Sequence, residues 1–80
     1  MSLRIIVKPH QIRQWIAERQ GIPARRHNSE TVLRILFGAD NGGYDPIGFD
    51  ELIETMKLRH LSLLVDQEPG KTQHKFIQHS

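Results

Sequence analysis

Residues 9 to 24 read PHQIRQWIAERQGIPA, and the folding of this stretch sets the plan for the rest of the chain. Ile12, Trp15 and Ile16 fall at i, i+3 and i+4, which gives a helix with one apolar stripe. Arg13, Gln14, Glu18 and Arg19 lie mostly on its outer face. Pro9 suits the first helical position, because its missing N–H would have no intrahelical partner there. Lys8 at the cap offers no acceptor for the other free N–H groups, so this start is weakly capped. Gly21 is expected to take the left-handed conformation past the helix end, and Pro23 prevents continuation. The lone tryptophan, in a helix stripe, reads as core, with its indole N–H finding a carbonyl or water.

On the N-terminal side, Leu3, Ile5 and Val7 alternate with Arg4, Ile6 and Lys8, the pattern of a short strand with one face more buried than the other. On the C-terminal side, residues 24 to 30, ARRHNSE, fit either a ragged edge strand or a loop. The run VLRILF, from Val32 to Phe37, is branched and aromatic and is bounded by Gly38. It reads as a central strand, with Leu33, Ile35 and Phe37 on one face and Arg34 on the other. Residues 39 to 48, ADNGGYDPIG, hold so many breakers that a long connection is expected.

Phe49, Leu52, Ile53 and Met56 form the stripe of a second helix. Asp50, Glu51 and Glu54 lie toward its positive end, and Lys57, Arg59 and His60 at its negative end. With Gly48 as cap, Glu51 is placed to reach back as half of a capping box. Leu61 to Gln67 and Thr72 to His79 flank Glu68-Pro69-Gly70-Lys71, which matches a type II turn and predicts a C-terminal β-hairpin. The predicted fold is α+β, two helices packed on a mostly antiparallel sheet of three to five strands. The alternative is a ferredoxin-like βαββαβ order plus an extra strand, with residues 24 to 30 supplying the second strand.

Eighty residues make one domain, and a chain of this size hides only roughly 60% of the surface its unfolded form exposes. It has no cysteine, hence no disulfide framework and no thiolate zinc site, as expected of a cytoplasmic protein. The apolar runs are far shorter than the roughly 20 residues needed to cross a bilayer, and MSLRIIVKPH lacks a signal-peptide core. A soluble protein outside the membrane is expected. Charge is uneven: residues 1 to 34 hold seven Lys/Arg against two acids, +5, while residues 35 to 80 hold four against seven, −3. Such polarity can steer an acidic partner or favour contact between unlike halves of two copies.

No set of residues has the spacing of a reaction centre. Gly70-Lys71-Thr72 imitates the end of a phosphate-binding loop, but Val65 stands where that motif needs its first glycine. The five histidines, His10, His27, His60, His74 and His79, form no i, i+4 helical pair, and no metal or cofactor is expected. Asp40 to Asp45 lacks the alternating acids and closing glutamate of a calcium loop. Ser29 and Ser62 have no nucleophile elbow around them, and the acids of the second helix are explained by its dipole. The most plausible binding surface is cationic: Arg13 and Arg19 on the first helix, then Arg25, Arg26 and His27 just after it.

The order of these pieces resembles a family of small stand-alone bacterial proteins of uncharacterised function, frequent in cyanobacteria. The stretches that carry the resemblance are Ile12-Arg13-Gln14-Trp15, Arg19-Gln20-Gly21-Ile22-Pro23-Ala24, Leu33-Arg34-Ile35-Leu36-Phe37, Phe49-Asp50-Glu51-Leu52, Leu61 to Asp66 and Lys75-Phe76. Gln20 replaces the first glycine of the family pattern, Lys8 its acidic cap and Gly48 its serine cap. A glucan-branching label attached to some relatives does not transfer, since that chemistry belongs to large barrels that 80 residues cannot house. The resemblance implies no catalytic residues. The expected function is therefore a non-enzymatic interaction module that binds a protein partner or itself through the arginine-bearing side of the first helix and the 39 to 48 loop. Nucleic acid bound through Arg13, Arg19, Arg25 and Arg26 is the alternative.

Overall fold

The structure, a computed structural model, describes residues 2–29, 32–38 and 42–79. Its elements are β1 (Leu3–Ile6), α1 (Pro9–Glu18), β2 (Ile22–Arg26), β3 (Leu33–Leu36), β4 (Tyr44–Pro46), α2 (Phe49–Leu58), β5 (Leu61–Asp66) and β6 (His74–Gln78). The fold is α+β, with two helices, two three-stranded antiparallel sheets and a β5–β6 hairpin at the C-terminal end. Lys71 N–H donates to the Glu68 carbonyl at 3.1 Å and Gly70 has φ +79°, as a type II turn requires.

The order is β-α-β-β, then β-α-β-β again, and the two halves correspond at positions forty apart. Lys8 and Gly48 cap the two ten-residue helices with φ −75° and −76°. Gln20 and His60 follow those helices with φ +56° and +55°. The halves are interlocked: one sheet has the order β1-β5-β6 and the other β3-β2-β4, so each half lends its leading strand to the other half's hairpin. The core lies where the helices meet both sheets. Ile12 and Ile16 of α1, Leu52 and Met56 of α2, Ile35 of β3, and Leu63 and Val65 of β5 are all 3% exposed or less. Both apolar helical stripes therefore face inward, and Trp15 joins them, 6% exposed, with its indole N–H on the Asp66 carbonyl at 2.9 Å.

Several expectations need correction. Among the described residues there are six strands, in two three-stranded sheets, and three of the strands stand between the helices, so the ferredoxin-like order is not followed. The extra strand is β4, inside the stretch read as a loop; residues 39–41 of that stretch lie outside the described residues. Its Pro46 is tolerated because β4 is an edge strand. The ambiguous segment after α1 is a strand, β2, as far as Arg26. VLRILF is an edge strand rather than a central one, and its Ile35 N–H is covered by His74 Nε2 of β6 at 3.2 Å, where the two sheets meet. Gln20, not Gly21, adopts positive φ. Gly21 answers a different demand: a Cβ there would stand 2.7 Å from Ile35 Cγ2 and 2.9 Å from Phe37 Cε1. Glu51 turns to Arg25 at 2.8 Å.

Candidate interaction surfaces

The cationic residues singled out in the sequence do not form one open patch. Arg13, on α1, lies over the Phe49 ring and 3.7 Å from Asp50. Arg25, on β2, meets Glu51 at 2.8 Å, and His27 meets Asp45 at 3.0 Å. Arg26, at the end of β2, is exposed. Three of these residues thus face acids of the second half. Of the seven Lys/Arg of residues 1 to 34, Arg13 and Arg25 are met by acids of the second half within one copy, because the interlocked topology brings the halves side by side.

Arg19 has a different place altogether. Its side chain is only 5% exposed and its guanidinium stacks 4.5 Å from the Trp15 ring. It donates to the carbonyls of Glu68 at 2.9 Å, Trp15 at 3.2 Å and Asp66 at 3.3 Å, and to that of Lys71. The planar fork of arginine suits several acceptors at once, and here it ties α1 to the β5–β6 loop. It is a structural clamp, not a group open to a partner.

Beside the junction of β3 and β6 lies an open cleft of about 500 Å³, lined in part by Arg34, Tyr44, Thr72 and His74. Nδ1 of His74 donates to the Thr72 carbonyl at 3.0 Å, so Nε2 is the acceptor for Ile35 N–H. Burial pulls the histidine pKa below its ordinary 6.5, against the Thr72 hydrogen bond, and the positive charge of Arg34 adds to the lowering. Both ring nitrogens are committed to holding backbone, which makes His74 a fastener between the sheets. Among the described residues no three His, Cys, Asp or Glu side chains are grouped to hold a metal ion.

The largest run of exposed apolar side chains was not singled out from the sequence. Leu3, Ile5 and Val7 are 51%, 56% and 55% exposed, whereas Ile6 is 5% exposed. The alternation of β1 is real, but its core-facing side is the one bearing Ile6. Ile5 pairs across the sheet with Leu64, and Leu64 with Lys75, so this apolar group continues onto the outward face of β5. No helix of the described residues is long and apolar enough to cross a membrane. Comparison with known proteins found no matching family model, curated protein or solved structure.

Proposed function

We propose that this chain is a non-enzymatic protein-interaction module that docks its partner along β1. The observation that carries the reading is the group of Leu3 and Ile5 on the free edge of a sheet and Val7 just past the strand, each more than half exposed. Apolar side chains grouped on a strand edge mark association surfaces, because an unpaired edge also offers backbone donors and acceptors. The rest of the molecule supports it: the histidine with a shifted pKa fastens two sheets, and the most buried arginine holds a loop. A bacterial, cytoplasmic setting accords with the family resemblance and with a chain without cysteine.

Nucleic-acid binding is the weaker reading, since Arg13 and Arg25 meet carboxylates and Arg19 meets carbonyls. Titration with generic DNA and RNA at low salt is expected to show no binding; an association that weakens log-linearly with added salt would reverse this ranking. The interaction reading is tested by a photo-crosslinking side chain at position 5, illuminated in bacterial cells. Discrete protein adducts, of this chain with itself or with another protein, are expected. Their absence at position 5 removes β1 as the docking edge.

A further inference from the structure

We propose that the partner of β1 is the β1 strand of a second copy, paired antiparallel about a two-fold axis at Ile5. The two β1-β5-β6 sheets then become one sheet of six strands. This rests on the reading of β1 as a docking edge and names its occupant.

The first support is the direction of the backbone groups. Gln67 N–H donates to the Ser2 carbonyl at 2.7 Å, in the same antiparallel register that pairs Leu3 with Asp66 and Ile6 with Leu63. Hydrogen-bonded and non-bonded pairs alternate along an antiparallel ladder. Ser2, Arg4 and Ile6 therefore turn their N–H and C=O groups toward β5. Leu3, Ile5 and, one step past the strand, Val7 turn theirs to the open side.

The second support is self-complementarity. A two-fold axis at Ile5 sets Ile5 against Ile5 and Leu3 against Val7, so every outward-turned residue meets an exposed apolar one. Arg4 then faces Ile6 and Lys8 faces Ser2, so no like charges stand opposite one another.

The third support comes from the two edges of the other sheet. On β4, Ile47 N–H donates to the Pro23 carbonyl at 2.9 Å, so alternation turns Tyr44 and Pro46 outward, and Pro46 has no N–H to give. The β3 edge has its Ile35 N–H taken by His74 of β6. β1 carries no proline, and its register with β5 is unbroken by a bulge; its one charged residue, Arg4, shares the face of Ile6 and is exposed. A five-residue seam is smaller than a standard interface of roughly 1,200 Å² or more, so the dimer is expected to dissociate with a constant on the order of micromolar.

Charge reversal at the axis tests this, because substitution at position 5 sets two copies of the new side chain against each other. Ile5→Lys and Ile5→Glu alter a side chain that is 56% exposed, and circular dichroism checks that both variants fold. Sedimentation equilibrium is expected to show a concentration-dependent dimer for the wild type and a dissociation constant raised about tenfold or more for each variant alone. An equimolar mixture of the two variants is expected to recover the dimer. A wild type monomeric at millimolar concentration overturns the proposal, as does a variant that dimerises like the wild type or a mixture no tighter than its components. A monomeric wild type whose position 5 still crosslinks to a different protein overturns self-pairing alone and leaves the interaction reading standing.

Discussion

Gln20 and Gly21 are adjacent yet face different constraints. A residue with a Cβ at φ +56° is held in the left-handed region at a cost that glycine does not carry. Gln20→Gly is therefore expected to stabilise the fold by about 0.5–1 kcal/mol, read as a higher urea midpoint with an unchanged slope. Gly21→Ala is expected to cost about 1–3 kcal/mol in the same assay, because the added methyl meets Ile35 and Phe37 inside 3.0 Å. The sequence marks this as a helix end but not which residue turns and which one packs, because glycine serves both purposes. Arg19 was illegible for a related reason. The carbonyls it binds at Asp66 and Glu68 lie 47 and 49 positions away and have no side-chain signature.

At the scale of elements, the junction of β3 with β6 depends on a neutral histidine. Protonation at Nε2 would turn the acceptor of Ile35 N–H into a second donor. Because the folded state holds the His74 pKa below 6.5, its contribution is complete above that pH and is lost as pH falls through the folded value. Wild-type protein is expected to lose stability relative to His74→Gln on going from about pH 7 to pH 5, by no more than roughly 1.4 kcal/mol per pH unit, the limit for one proton. Paired urea titrations of the two proteins read the difference. Equal pH profiles would show that the histidine does not titrate against this junction. The helices were legible because an apolar stripe of period 3.6 has to face a core, and the terminal hairpin because Pro69-Gly70 dictates its turn. β4 was not, since three residues ending in proline lack the length and alternation that mark a strand. The exposed side of β1 was hidden by Ile6, which makes the strand apolar on both faces.

For the whole molecule, the exchange of leading strands makes neither half complete alone. Separate peptides of residues 1–40 and 41–80 are expected to be largely unfolded by circular dichroism and to fold together on mixing. With seven Lys/Arg against three acids, the first is +4, and with four against six the second is −2, so the unlike pair is favoured over either like pair. Folding of either peptide as a monomer would contradict the interlocked topology.

The same topology leaves β1 bonded on one side and open on the other, and the reading of this protein as a self-associating module depends on that asymmetry. Amide hydrogen exchange across residues 3 to 7, followed as a function of protein concentration, tests it most directly. Arg4 and Ile6 are expected to be protected at every concentration, and Leu3 and Ile5 to exchange fast when dilute and slow as the protein is concentrated. Fast exchange at Leu3 and Ile5 that does not change with concentration would contradict the account.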